Sequence, residues 1–400
     1  MSPPPPIPLE EAQKRLLELA EPLESEIFPV STAAGRYLAD NLCSLRENPA
    51  ADLSAMDGYA IRADDLAGPW RIIGESAAGH PFAGSLKHGE AIRISTGAHM
   101  PDAGGAVLLQ EHAHREGDTL SVTDSHSASP QYVRKQGFDF RKGDALLKSG
   151  TRIGPAQIAV ALAGGHSTIN AGKLPQITII ECGDELAADP LESADHQIPA
   201  TNGPMLAAMA APYASQCKVI GPIADDKAQL IAAFDQTEAD VIVTCGGASV
   251  GDHDLVRPAL EDWGATLDFW RVAMKPGKPL MVARKGKTII LGLPGNPVSS
   301  FVTGYLFLLP LLRRLAGPSA SLPTTVMAKL TAKLPPVGDR REFVRAHLAG
   351  GEITPVNEND SSALRALAAA NALIERPEGS GPQEVGTPVK AYLLENGGIA

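Results

Sequence analysis

The stretch Val241-Ile242-Val243-Thr244-Cys245-Gly246-Gly247-Ala248-Ser249-Val250-Gly251-Asp252-His253-Asp254 decides the fold. A β-branched apolar run gives way to a glycine loop, and a helix-like segment, residues 255–263, follows. Strand, glycine turn and helix start together turn backbone N–H groups and a helix N-terminus toward an anion. Adjacent glycines allow φ > 0 and close approach of a ligand, although a tight connecting turn has the same signature. Asp252 and Asp254 supply hard oxygen ligands suited to a divalent cation, or an N-cap for the helix.

The pattern repeats downstream. Thr288-Ile289-Ile290-Leu291 runs into Leu293-Pro294-Gly295-Asn296-Pro297, with Pro297 suited to a first helical turn and Asn296 to its cap. Lys275-Pro276-Gly277-Lys278-Pro279 presents two lysines on a proline-stiffened loop, read either as an anion site or as an exposed basic turn. Upstream, Ile177-Thr178-Ile179-Ile180 is a buried strand, followed by Gly183-Asp184-Glu185. Cys217-Lys218-Val219-Ile220 is another, followed by Asp225-Asp226, which suits either a strand edge or a helix N-terminus. Helices are expected over 203–211 and 225–235, and Thr201-Asn202-Gly203 reads as a helix cap or a ribose or base contact. Strands alternating with helices predict a mostly parallel sheet covered on both faces, with ligands at the carboxyl ends of the strands.

The flanks read differently. Residues 9–23 place Leu9, Ala12, Leu16, Leu19 and Leu23 on one helical face, closed by Pro22. Residues 56–140 are rich in Gly, Pro, Ser and His with short alternating runs, which predicts a small β-rich domain. Residues 153–163 form an apolar helix, and the chain beyond 318 alternates in short strands. Physics alone gives Asp57 and Thr96 no role. Glu111, His112 and His114 read as a solvated strand edge, and Phe138 and Trp270 as packing residues.

The chain has 400 residues, enough for two to four domains. With 35 basic and 46 acidic residues it carries a net charge of −11, which argues against non-specific nucleic-acid binding. An anionic ligand then needs a local basic patch. Cys43, Cys182, Cys217 and Cys245 show no metal-ligand spacing and no disulfide framework, as expected of reduced thiols in a cytoplasmic protein. The opening Met1-Ser2-Pro3-Pro4-Pro5-Pro6 lacks the charged and apolar regions of a secretory leader. The apolar stretch from Phe301 to Leu312 reads as a buried helix, too short to span a bilayer, so no membrane association is expected.

Taken in order, the segments 54–60, 95–101, 183–186, 201–202, 246–254, 275–279, 293–297 and 341–345 resemble the MoeA-type molybdopterin molybdenumtransferases, relatives of the gephyrin C-terminal domain. The resemblance covers nearly the whole chain. It implies a multidomain α/β homodimer: an elongated N-terminal domain (8–55 with 141–175), an inserted β-rich domain (56–140), a central α/β/α molybdopterin-binding domain (176–317) and a C-terminal β domain (318–400). It also implies a reaction in which adenylylated molybdopterin and molybdate are the substrates. The pyrophosphate is cleaved with Mg²⁺ and AMP is released. The nearest alternative is a molybdopterin adenylyltransferase, whose family shares the α/β unit, and a third reading, from a different class, is a non-catalytic scaffold that binds the cofactor.

By motif, the resemblance implies that Asp57 and Thr96 reach the active cleft across the dimer. Glu185, Asp225 and Asp254 would be the acidic residues near Mg²⁺, and Lys275 and Lys278 would hold molybdate or phosphate. Thr201, Asn202, Gly246, Gly247, Ser249, Gly251, Pro294, Gly295, Asn296 and Pro297 would contact the pterin or nucleotide, with Arg345 and Ser361 closing the site. Implied partners are a molybdopterin adenylyltransferase and the molybdoenzymes or carriers that receive the cofactor. The chain departs from the family pattern at Ala103-Gly104-Gly105, at Arg271, where a lysine is usual, and at Cys182 and Cys245, where small hydroxyl residues are usual and which should pack as small apolar groups.

Overall fold

The parallel run predicted around Val241–Cys245 lies at the centre of a computed structural model that describes residues 5–123, 126–247, 255–317, 321–358 and 360–394. The chain divides into two compact units, one of residues 27–34 and 40–170 and the other of 1–26, 35–39 and 171–400.

The smaller unit carries a six-stranded sheet. Its strands are β1 (Gly58–Arg62), β2 (Trp70–Ser76), β3 (Glu90–Ile94), β4 (Gly104–Leu109), β5 (Ala113–Glu116) and β6 (Thr119–Val122), in the order β4-β1-β3-β2-β6-β5. Alternate residues of β1 go to opposite faces, Tyr59 and Ile61 into one apolar cluster and Ala60 into another. Trp70 anchors the first cluster, nearly fully buried, and its indole N–H donates to the Asp65 carbonyl at 2.9 Å. β-rich content in this region was expected. Phe138 was expected to pack, but it is 75% exposed.

The larger unit is built on β7 (Gln176–Cys182), β8 (Gln216–Ile223), β9 (Val241–Cys245), β10 (Thr266–Trp270), β11 (Met274–Lys275), β12 (Met281–Lys285) and β13 (Thr288–Leu293). All but β11 form one sheet, in the order β8-β7-β9-β13-β12-β10. The first four strands are mutually parallel, and β12 and β10 are added antiparallel. Both faces are buried. Ile177, Ile179, Val241, Val243, Ile289 and Leu291 face a core shared with helix Leu9–Leu19 and the helix beginning at Pro297. Ile180, Ile242 and Ile290 face the helices Lys227–Asp235 and Val256–Asp262. This double burial makes the strands read as continuous apolar runs rather than alternating ones.

The long helix expected from Pro297 to about 316 spans Pro297–Leu315 and contains a π turn at Gly304–Leu308. Its 19 residues match the length of a membrane span, but 89% of its apolar window is buried inside the fold. It is the central core helix.

The last sheet contains β14 (Thr325–Leu330), β15 (Arg341–Ala349), β16 (Glu352–Pro355), β17 (Ala372–Arg376) and β18 (Pro388–Leu393). The order β15-β16-β14-β18-β17 is closed by a further pairing of β15 with β17, which makes a small barrel around Leu330, Ala346, Ile353 and Ile374. β11 adds to its rim, parallel to β15, and pairs Lys275 with Glu342.

Phe307 is fully buried in the core helix. Phe307→Ala is expected to cost about 3–5 kcal/mol, because the lost packing is compounded by the cavity left behind. Urea unfolding followed by far-UV circular dichroism would show it. A loss below about 1 kcal/mol would mean that the core refills the space.

Candidate active site

Parallel strands deliver their loops to one edge. β7, β8, β9 and β13 end at Cys182, Ile223, Cys245 and Leu293, and the segments that follow them are those singled out in the sequence. Glu185, Thr201, Gly246, Gly247 and Pro294–Pro297 line a cavity of about 660 Å³ at this edge. The glycines are required there. Gly246 and Gly247 have φ of 96° and 62°, and a Cβ on Gly246 would lie 2.6 Å from the Cys182 carbonyl oxygen. The neighbouring loop is held by Asn202, whose Nδ2 donates to the Gly295 carbonyl at 2.6 Å. Asn296 does not cap the helix that starts at Pro297. Its Nδ2 instead donates to Ser361 Oγ at 3.0 Å, and Val298 N–H donates to the Ser361 carbonyl. Ser249, Gly251 and Asp254 lie outside the described residues.

Carboxylates gather beneath this edge. Burial pushes the Cys182 thiol up to about 12, and the charges of Asp225, Glu181 and Glu185 add to the shift, so all three act on one sulfur. Asp226 is the helix cap, accepting from Gln229 N–H at 2.8 Å, while Asp225 is tied by its own N–H to Asp184 Oδ1 at 3.1 Å. Glu181 escaped the sequence reading. It is buried, and its Oε1 accepts the Gly203 N–H at 2.8 Å, fixing the start of helix Asn202–Ala210. A charged residue inside an otherwise apolar strand was the available signal. Cys182 and Cys245 are buried as small apolar groups, and burial also raises the Cys245 thiol.

A second cavity, of about 300 Å³, adjoins the first through Pro279 and Ser299, which line both. Its polar walls are Lys275, Lys278, Arg340 and Arg345, the carboxylates Glu342 and Glu358, and the hydroxyls of Ser299 and Ser361. Lys275 Nζ lies 3.0 Å from Glu342 Oε1. Arg345 lines the cavity, yet its hydrogen bonds go to the carbonyls of Ala363 (3.1 Å), Glu358 (2.5 Å) and Asp360 (3.0 Å). Burial lowers its pKa, and Glu358 and Asp360 offset part of that. Arg345 therefore holds the segment that presents Ser361. Glu342 was not picked out from sequence, because what places it is a strand pairing with Lys275, 67 residues away; Arg340, just before that strand, and Ser299, in the first turn of the helix from Pro297, were not picked out either.

Asp57 and Thr96 form a pair within the smaller unit. They flank the paired residues Gly58 and Ile94, and Asp57 Oδ1 accepts from Thr96 N–H at 2.7 Å and from Thr96 Oγ1 at 3.1 Å. The backbone bond first, then the hydroxyl bond, holds the exposed Asp57 carboxyl below its ordinary value.

Because the folded pKa of Asp57 is depressed, its bonds to Thr96 are complete above the unfolded value of about 3.9 and are lost as pH falls through the folded one. Thr96→Val should move the Asp57 midpoint upward toward about 3.9 in a carboxyl NMR titration. An unmoved midpoint would remove the hydroxyl as a contributor. At the other site, Gly246→Ala must displace the loop and should weaken anion binding by about tenfold or more with helix content unchanged. Titration calorimetry with AMP would measure it, and unchanged affinity would exclude the loop as a binding element.

The chain matches three family descriptions in order: MoeA N-terminal region (domain I and II) over residues 7–165, probable molybdopterin binding domain over 178–314, and MoeA C-terminal region (domain IV) over 327–394. It is 34% identical to the molybdopterin molybdenumtransferase of Haemophilus influenzae, over 77% of this chain and 78% of that protein. Identity to the Bacillus subtilis protein of the same name is 32%, over 98% of this chain and 95% of the relative. The crystal structure of the molybdopterin biosynthesis moeA protein from Pyrococcus horikoshii superposes with a TM-score of 0.80 at 29% identity, covering 97% of this chain and all of that one. Gephyrin of Dictyostelium discoideum is 31% identical over 97% of this chain, which spans 62% of it. The chain therefore belongs to the MoeA-type molybdopterin molybdenumtransferases, a transferase family related to gephyrin.

Proposed function

We propose that this protein inserts molybdenum into molybdopterin, taking adenylylated molybdopterin and molybdate, cleaving the pyrophosphate linkage and releasing AMP. The observation that carries this reading is the continuity of the two cavities through Pro279 and Ser299. One end, with its glycine loop and helix start, suits a nucleotide or pterin phosphate. The other, with Lys275, Lys278 and Arg340, suits a small oxyanion. Pyrophosphate cleavage spreads negative charge over phosphoryl oxygens, and fixed cations and N–H dipoles around them stabilise that charge without reorganising.

The carboxylates fit Mg²⁺ in kind. Glu185 lines the first cavity, and Asp225 acts with it on the same thiol. Among the described residues, no group of three or more His, Cys, Asp or Glu is placed to hold a metal. Mg²⁺ is a hard cation that takes oxygen ligands and keeps several waters in its shell. Glu185 and Asp225, with Asp254, would hold the ion, and it would neutralise charge on the bridging phosphates. The buried Cys182 and Cys245 thiols, raised by burial, stay protonated and take no part.

Asp57 and Thr96 are assigned to the same reaction through a homodimer. The division at 55/56, 140/141, 175/176 and 317/318 belongs to the same reading, as do partner proteins that supply the adenylylated pterin and accept the finished cofactor.

The test is an insertion assay with adenylylated molybdopterin, molybdate and Mg²⁺, following AMP and pterin-bound molybdenum together. Both should appear in step and depend on molybdate. Lys275→Ala and Glu185→Ala should fold normally and lose about 10²-fold or more in rate, the scale expected for one charge aimed at the reacting group. ATP consumption with metal-free molybdopterin would favour the adenylyltransferase instead. Pterin binding with neither product would leave a scaffold.

A further inference from the structure

Glu181 stands one residue before the end of β7, with Cys245 of β9 beside it and Leu293 of β13 beyond. Its side chain shares the strand face of Ile177 and Ile179, which otherwise meets the apolar core under helix Asn202–Ala210, and it is only 3% exposed. A carboxylate in that position is costly unless something pairs with it. Here the partner is a helix start. Gly203 N–H donates to Glu181 Oε1 at 2.8 Å, and the helix dipole favours the negative charge. Thr201, the residue before that helix, supplies no side-chain cap of its own. Only glycine fits at the contact, because a Cβ on Gly203 would lie 2.7 Å from Glu181 Oε2.

The contact continues into the first cavity. Asn202, next to the anchored glycine, is buried and donates from Nδ2 to the Gly295 carbonyl at 2.6 Å. A Cβ on Gly295 would lie 3.6 Å from Gly246 Cα, and Gly246 N–H donates to the Leu293 carbonyl at 3.2 Å. The two glycine loops of the cavity therefore lean on each other, and one of them is held by a side chain whose base is fixed by Glu181. Glu181 lies behind that wall and does not line the cavity.

We propose that Glu181 is a positioning residue of the first cavity. Through Gly203 and Asn202 its carboxylate oxygen holds the Gly295 loop, and with it the loop at Gly246, in the conformation that takes a nucleotide phosphate. The feature required is an acceptor oxygen at the Oε1 position, so glutamine can replace the acid and alanine cannot. Only the nucleotide readout rests on the proposed insertion reaction; the linkage of the loops does not.

The experiment compares the full-length wild type, Glu181→Ala and Glu181→Gln by amide hydrogen exchange, and by titration calorimetry with AMP and with molybdate. In Glu181→Ala, exchange at Gly203, and at Gly246 and Val298 in the linked loops, should speed up about threefold or more, the scale of one lost hydrogen bond. AMP affinity should fall about threefold to tenfold while molybdate affinity is unchanged, a split that general destabilisation would not give. Glu181→Gln should return both exchange and AMP affinity to within about twofold of wild type. Should Glu181→Ala fail to fold, Asn202→Ala decides. It should loosen Gly246 and Val298 and weaken AMP binding while leaving Gly203 protected. Unchanged exchange at Gly246 and Val298 in these variants, equal loss of AMP and molybdate binding, or a Glu181→Gln protein that behaves like Glu181→Ala would overturn the proposal. A protein whose loops respond as stated but whose wild type binds no AMP contradicts the proposed function only. One that binds AMP and keeps that affinity in Glu181→Ala contradicts this inference only.

Discussion

The basic end of the site depends on a two-residue parallel pairing, Met274–Lys275 against Arg341–Glu342. The pairing is not held by its ion pair. The Lys275 side chain is 51% exposed, and an ion pair of that kind is worth at most about 1 kcal/mol. Burial and backbone bonds hold it. Val272 and Met274 are fully buried, Ile7 bridges to Val272, and Arg341 N–H donates to the Ala273 carbonyl. Arg341 then ties the same corner to Glu375 and Glu378 at 3.1 Å each, and to Glu10. The lysine arrives at the cavity as a consequence of apolar packing, which leaves its charge available for a ligand.

This explains what the sequence could and could not reveal. A strand buried on both faces is written as a β-branched run, so β7, β9 and β13 and the loops at their ends were legible. Element ends were less so. The first helix stops at Leu19, before Pro22, because Ala20 is already extended, and the helix expected from 225 starts at Lys227 because Asp226 is spent as its cap. The barrel closure and the Lys275–Glu342 register are long-range pairings that leave no local trace. Glu342 therefore went unrecognised, although it stands beside residues that were noticed. Phe138 failed for a related reason: an aromatic side chain in sequence says nothing about whether a partner surface exists.

Charge is sorted across the site in a way the net value of −11 conceals. Glu181, Glu185 and Asp225 collect at the ends of the parallel strands, around Cys182. Lys275, Lys278 and Arg340 collect at the barrel rim. Clustered carboxylates would destabilise an ionisable neighbour, and a thiol resists ionisation far better when its pKa stands near 12. A small neutral sulfur beneath three acids adds volume without adding charge.

The two buried arginines of the barrel are used in a similar way. Arg345 and Arg376 are both buried, and both bond to backbone carbonyls. Those carbonyls belong to the segments bearing Ser361 and to Pro335 and Gly381, so the guanidiniums act as struts that fix non-repetitive backbone where no strand partner exists. Arg345 divides its donors among three such carbonyls. Arg376 serves two and retains a buried N–H that no carbonyl reaches.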